Sequence, residues 1–333
     1  MLALLSMNFP KILMTKLIIQ NNYLFRIFLP SFFYEAYKSK IPQEKTYSKN
    51  ICVCTVCDNN YIPGLIILIE SILEYNYWFN LPFYIFMDSE KKINSKNQRL
   101  LTKIYPNFKF IDLGDEFFEI KNNNKNNIRF NRFSQTYLGL YAFNMTNYKT
   151  VLSLDTDILC QGDFKPLISD KIEGDIIAIS DAQRSKKSIL HFKQQNENNS
   201  FYPVNSSTKN YQVNTGVYIL HNKLISNKVY KELFQLAKNG VTNGEQLGGD
   251  QEVINYYLEQ KKDIILTYAP FIYNTSARTF SGKKFKYLKI TNPVFIHYVG
   301  NKPWSNKILI YGKLKNIRQL WIKYAQKKLN EIY

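Results

Sequence analysis

From Ile51 onward the chain alternates short apolar runs with segments whose apolar residues recur at helical spacing, and polar or turn-forming residues separate them. Ile51–Cys57 reads as a first strand that ends at Asp58-Asn-Asn-Tyr61. Pro63 then opens a strongly apolar helix, Gly64 to Tyr75, at the position proline favours. Pro82–Met87 and Phe108–Leu113 predict the next two strands, with a helix over Lys96–Tyr105 between them. An Asn- and Lys-rich stretch, Lys121–Asn127, predicts a loop, Phe133–Met145 a helix and Lys149–Leu154 a fourth strand. Asp175–Ser180, Tyr211–Leu220, Ile264–Ala269 and Val294–His297 continue the strands. Helices are expected over Leu224–Lys238, Glu252–Gln260 (with Asp250 as N-cap) and Leu314–Tyr333. Strands that alternate with helices imply an α/β protein with a wound, mainly parallel sheet. Gln183–Tyr211 is polar and long for a connection without secondary structure, which marks it as a lid or recognition segment.

One strand end stands out. Val151, Leu152 and Leu154 read as a strand buried on both faces, and it delivers Asp155 and Asp157 at its end. Within Asp155-Thr156-Asp157 the backbone can turn out of the sheet, which lets both carboxylates converge on one hard cation. Open α/β sheets bind ligands beyond the carboxyl ends of their strands, so the position suits a site. Asp58, Asn60, Asp181, Asn214, Asp250, Gln251 and His297 gather at the other strand ends and at one helix start.

Composition changes this picture little. With 333 residues, 45% of them apolar, the chain is long enough for one large α/β domain or two small ones with a sizeable core. The net charge of +18 attracts polyanions: nucleic acid, anionic lipid headgroups or a phosphorylated small substrate. No zinc finger or RNP-like motif accompanies the charge, so no nucleic-acid partner is expected. Cys52, Cys54 and Cys57 lie on a strand whose alternation sends the third thiol to the opposite face, and no fourth ligand follows. With Cys160 they read as buried thiols in a reducing compartment. Residues 1–48 are apolar and basic without the ~20-residue apolar run of a membrane span. They read either as a helical extension packed on the domain or as an interfacial anchor, with Met7 and Met14 as alternative starts.

In their order the strand-end residues resemble the retaining glycosyltransferases of the glycogenin and bacterial lipooligosaccharide galactosyltransferase family, family 8. The motifs are Asp-x-Asp after a strand, Asn214-Thr-Gly-Val217, Asp250-Gln251 before a helix, and His297-Tyr-Val-Gly300…Lys302-Pro-Trp304. The resemblance implies a GT-A nucleotide-diphospho-sugar transferase fold over residues 49–305, followed by a basic C-terminal helix, 306–333. It implies Mn²⁺ (Mg²⁺ as the alternative) held by Asp155, Asp157 and His297, and a UDP-sugar donor. Val56, Asp58, Asn60 and Tyr61 would hold the uridine, with Asp155, Thr156, Gly300 and Lys302 on the donor as well. Asp181, Asn214 and Asp250 would grip sugar hydroxyls, and Gln251 would sit beside the anomeric carbon, the two residues Asp250 and Gln251 being the catalytic candidates.

The function this implies is transfer of glucose or galactose to a cell-surface glycan or glycolipid precursor, as in lipopolysaccharide biosynthesis. The setting would be the cytoplasm, with the C-terminal helix reading either as a solvated basic face or, with its Trp321 and Tyr324, as a contact with the inner face of an anionic membrane. A glycogenin-like self-glucosylating protein is one alternative, and a non-catalytic polyanion-binding protein on the same fold is another. The chain departs from the family pattern twice. Gly139 stands where many relatives carry a basic residue, a loss that Arg129, Arg132 or Lys149 would have to offset, and only Asn301 separates Gly300 from Lys302. His191 and His221 have no such context and read as surface or packing residues.

Overall fold

A computed structural model describes residues 50–126, 134–181, 200–205, 212–242, 245–246, 249–277, 292–300, 302–304 and 315–330. In chain order the strands are β1 (Ile51–Val56), β2 (Phe83–Met87), β3 (Phe108–Asp112), β4 (Thr150–Leu154), β5 (Ile158–Cys160), β6 (Ile176–Ser180), β7 (Tyr202–Asn205), β8 (Val213–His221), β9 (Val241–Thr242), β10 (Glu245–Gln246), β11 (Ile265–Tyr268), β12 (Thr275–Ser276) and β13 (Phe295–His297). The helices are α1 (Ile62–Tyr75), α2 (Ser95–Ile104), α3 (Gly114–Asn124), α4 (Asn227–Asn239), α5 (Asp250–Gln260) and α6 (Lys315–Asn330).

The main sheet has eight strands in the order β3-β2-β1-β4-β8-β6-β11-β7. β3, β2, β1 and β4 are mutually parallel, while β8 runs antiparallel to both β4 and β6. After β1 the chain winds outward through β2 and β3, then returns to place β4 on the other side of β1. That reversal opens a crevice beyond the ends of β1 and β4, where open α/β sheets bind ligands. A second sheet, β12-β13-β5, has β5 antiparallel to β13.

The apolar runs become strands because both faces are covered: every residue of β4 and β6 is buried. α1 is buried from Ile62 to Leu73 and packs against β5 of the small sheet. Leu65, Ile66, Ile67, Leu68 and Ile69 are fully buried, and the Ser71 hydroxyl accepts a 3.0 Å hydrogen bond from the Cys160 N–H of β5. Each such aliphatic side chain contributes roughly 1.5–3 kcal/mol. The four thiols are free and buried, and burial pushes those of Cys54 and Cys160 up to about 12.

Four expectations need correction. Lys121–Asn127 is not simply a loop, since α3 extends to Asn124, where buried Phe117, Ile120 and Asn124 outweigh the weak helix propensity of an Asn-rich run. Residues 134–144 form a 3-10 helix in place of an α-helix, with Tyr137, Leu138, Leu140, Ala142 and Phe143 buried around it rather than along one stripe. Asp250 is the first residue of α5 and Gly249 occupies the N-cap, so the Asp250 carboxylate is not a cap. In α6, Trp321 and Tyr324 are buried against the domain and do not face outward to a membrane. β7 lies within the segment read as a lid, whereas most of Gln183–Tyr211, residues 1–48, Arg129, Arg132, His191 and Asn301 lie outside the described residues.

Candidate active site

β4 leaves the main sheet at Leu154 and the chain resumes at Ile158 as β5 of the small sheet, so the three residues Asp155-Thr156-Asp157 span the junction. Backbone bonds hold the turn at both ends: Asp155 N–H donates to Gly216 O on β8 (2.9 Å), and Tyr298 N–H donates to Asp157 O (2.9 Å). Pairing of β13 with β5 sets His297 opposite Ile158, next to the turn. Nε2 of His297 lies 3.3 Å from Asp155 Oδ2 and 3.2 Å from Asp157 Oδ1. One potential ligand atom from each residue falls within 4.8 Å of the others. Asp157 and His297 are buried, Asp155 is open to solvent, and Thr156 is packed away.

Lys302 donates its ammonium to Asp157 Oδ2. Burial alone would raise the Asp157 carboxyl, but the Lys302 and His297 charges hold it well below the usual carboxylate range. Burial alone would lower the His297 imidazole, but Asp157 and Asp155 outweigh it and push the group up to about 9. Two positive groups thus balance two carboxylates. Two carboxylate oxygens and one imidazole nitrogen form a donor set suited to a divalent ion of the Mn²⁺ type, so the residues present fit such a metal.

A relay of amides orients the imidazole from behind. The Asp181 carboxylate only accepts, so it takes N–H bonds from Asn214 Nδ2 (3.2 Å) and Gln251 Nε2 (3.3 Å). Asn214 Oδ1 therefore faces the other way, accepting from Asn274 Nδ2 (2.8 Å) and Gly216 N–H (3.0 Å). That leaves Asn274 Oδ1 to accept from His297 Nδ1–H at 2.9 Å. The amide orientations follow from this chain of donors and acceptors. In the neutral imidazole the proton stays on Nδ1, and the Nε2 lone pair points at the two aspartates. Gly216 makes the approach possible: a Cβ there would sit 2.2 Å from His297 Cε1 and 2.4 Å from Nδ1. Sequence reasoning missed Asn274; its only signal is a polar residue closing the apolar run Phe271-Ile-Tyr.

On the other wall, Asp58 Oδ1 accepts from Asn60 N–H (2.7 Å) and Tyr61 N–H (3.2 Å), turning the chain from β1 into α1. The Lys302 ammonium lies 5.6 Å from the centre of the Tyr61 ring, and Gly300 adopts φ +92°, the left-handed region. Asp250 N–H donates to Thr136 Oγ1 (3.2 Å), while burial and the Asp155 charge push the Asp250 carboxyl up to about 7. A Cβ on Gly139 would meet Asp250 Oδ2 at 3.6 Å and Val56 Cγ2 at 3.7 Å, so Gly139 borders both residues. Lys149 is exposed, and His221 bonds Thr150 Oγ1 (3.1 Å) at the opposite end of β4, outside the site.

A family model described as Glycosyl transferase family 8 matches residues 52–307. The lipopolysaccharide glucosyltransferase WaaO of Escherichia coli (strain K12) is 27% identical over 281 residues, which cover 79% of this chain and 75% of that protein. Among solved structures, the galactosyltransferase LgtC in complex with donor and acceptor sugar analogs matches with a TM-score of 0.57 at 18% identity, over 83% of this chain and 95% of LgtC. Mouse xyloside xylosyltransferase 1 matches at 0.50 and 12% identity, over 76% of this chain and 99% of that one. At such identities the structural likeness establishes the GT-A fold.

Proposed function

Because the chain belongs to glycosyl transferase family 8, we propose that it moves glucose or galactose from a UDP-sugar to a hydroxyl of a cell-surface glycan or glycolipid precursor, with retention at the anomeric carbon. The observation that carries this reading is the convergence of Asp155, Asp157 and His297 beyond the β1/β4 crevice, with Lys302 beside them. Asp155, Asp157 and His297 would hold Mn²⁺ (or Mg²⁺), which when bound neutralises charge on a departing nucleoside diphosphate. Lys302 adds a second positive charge for the diphosphate, and Gly300 lets the backbone approach it. Val56, Asp58, Asn60 and Tyr61 form the wall for uridine, with Thr156 behind the turn. Asp181, Asn214 and Asp250 offer acceptors and donors to sugar hydroxyls.

Gln251 is held at both ends of its amide, with Nε2 on Asp181 and Oε1 accepting from Thr215 N–H (3.4 Å). An amide is a poor nucleophile, so it suits stabilisation of positive charge at the sugar better than a covalent intermediate. The acceptor would enter from the solvent side of Asp155.

Association with an anionic membrane surface from the cytoplasmic side is part of the proposal. With Trp321 and Tyr324 turned inward, it rests on the +18 charge, and no helix among the described residues is long and apolar enough to cross a membrane. Binding to anionic vesicles at low salt that fades with added salt is the expected result.

The test of the central reading is Mn²⁺-dependent binding and slow hydrolysis across a panel of UDP-sugars, wild type against Asp157→Ala. One donor hydrolysed by the wild type and spared by the variant supports the proposal. Absence of metal-dependent binding to every nucleotide sugar defeats it.

A further inference from the structure

The wall that carries Tyr61 and Lys302 does not end at the site. Trp304, two residues beyond Lys302, is buried, and its Nε1–H donates to Asn60 O at 3.1 Å. One edge of its indole meets the Tyr61 ring at 5.9 Å between centroids and 80° between planes. Gly64 lies so close beneath that a Cβ there would sit 2.4 Å from Trp304 Cη2 and 2.5 Å from Thr156 O. Behind Trp304 stands Trp321 of α6, 1% exposed, with ring centroids 5.6 Å apart. One turn further along, Tyr324 Oη donates to Glu74 Oε2 of α1 at 2.7 Å and fixes the helix to the domain.

We infer that Trp321 is a positioning residue of the donor site, which makes the C-terminal helix part of the nucleotide-binding unit. Trp321 is the backstop that keeps the Trp304 indole against Asn60 and Tyr61. Without it the indole can drop into the space left behind it, releasing its N–H bond and its edge contact together. The Asn60–Tyr61 turn and Lys302 then lose their common support, while the Asp155–Asp157 turn keeps its backbone bonds to Gly216 and Tyr298 and His297 keeps its bond to Asn274. By thermodynamic reciprocity, a nucleotide held between Tyr61 and Lys302 tightens the docking of α6. This inference rests on the donor reading above.

The experiment measures UDP binding with Mn²⁺, Mn²⁺ binding alone, and donor-hydrolysis kinetics for full-length Trp321→Ala, Trp321→Phe and Tyr324→Phe. Trp321→Ala is expected to weaken UDP binding and raise the donor KM about tenfold, within the usual range of coupling between sites, at nearly unchanged kcat and Mn²⁺ affinity. Trp321→Phe restores most of the loss. Tyr324→Phe, which removes the bond to Glu74 but leaves the Trp321 ring against Trp304, raises KM by much less than Trp321→Ala, and an equal rise in the two variants overturns the inference. A folded Trp321→Ala protein with wild-type UDP affinity overturns the inference. Should that variant not fold, hydrogen exchange of the wild type decides: amides of residues 319–326 slow when UDP and Mn²⁺ are added, and exchange that stays the same overturns the inference. Failure of the wild type to bind UDP with Mn²⁺ is a separate result that removes the donor reading and this inference with it.

Discussion

From His297 inward the candidate site is supported by amides, whereas from Lys302 outward it is supported by rings. On the amide side each group has one correct direction, dictated by the acceptor-only carboxylate of Asp181, and one reversal propagates through Asn214 and Asn274 to the imidazole. On the ring side Tyr61, Trp304 and Trp321 meet edge to face or tilted, and the Trp304 N–H donates to Asn60 O. Directional contacts fail in an all-or-none manner because a buried polar group left unpaired is costly, while packed rings lose contact by degrees. Disturbing the first support is therefore expected to change metal binding and turnover, and disturbing the second to change donor affinity.

The largest effect is expected where the two supports meet, at Asp157. Asp157→Asn keeps the shape but leaves Lys302 and His297 facing a neutral amide. Mn²⁺ affinity should fall by at least about 100-fold and transfer should become undetectable, as titration with Mn²⁺ and a product assay would show. A variant that binds Mn²⁺ normally would mean that the ion sits elsewhere.

Next is Asn274, where two substitutions separate the ends of the relay. Asn274→Ala removes the acceptor for His297 Nδ1–H and should weaken Mn²⁺ binding roughly 10- to 100-fold. Asn274→Asp keeps that acceptor but has no N–H for Asn214 Oδ1, so Mn²⁺ affinity should stay near wild type while kcat falls. Equal effects of both substitutions on metal and turnover would reduce the relay to ordinary packing.

How legible these supports are in the sequence depends on the distance over which they are specified. The wound sheet shows in the apolar runs because both faces of β4 and β6 are covered, so no charged residue interrupts them and only the small Ser153 lies between apolar neighbours. The turn at Asp155 and Asp157 shows because it is local. Asn274 is invisible because its meaning comes from partners at 214 and 297, brought together only when β13 pairs with β5. The tryptophan of α6 misleads for a similar reason: an aromatic among lysines resembles a membrane face until its partner ring, Trp304, is known. α3 is hidden by its asparagines, whose poor propensity is overridden by the burial of Phe117 and Ile120.

A pH experiment distinguishes the amide side by charge alone. Raised from its usual 6.5 to about 9, the folded-state imidazole of His297 contributes stability that is fully present below pH 6.5 and lost as the pH rises through 9. Metal-free protein should therefore melt at progressively lower temperature across that window. Mn²⁺ competes with the proton for Nε2, so its affinity should climb over the same range. His297→Gln should flatten both trends, and trends that persist in that variant would assign them to another group.

The smallest effects separate two glycines. Gly64→Ala forces a methyl into the Trp304 ring and the Thr156 carbonyl and should cost about 1–3 kcal/mol in an unfolding titration, with a raised donor KM. Gly139→Ala meets Asp250 Oδ2 at 3.6 Å and Val56 Cγ2 at 3.7 Å, which are ordinary contacts. Its stability should change by no more than about 0.5 kcal/mol, since the methyl fits and the backbone has no positive φ to protect. Turnover with the preferred donor should likewise be unaltered, because the methyl is too short to pair with the Asp250 carboxylate as a basic side chain would. A marked loss of turnover in Gly139→Ala at unchanged stability would show instead that the donor itself fills the space beside Asp250, and the glycine would then belong to the amide side as a contact surface for the sugar.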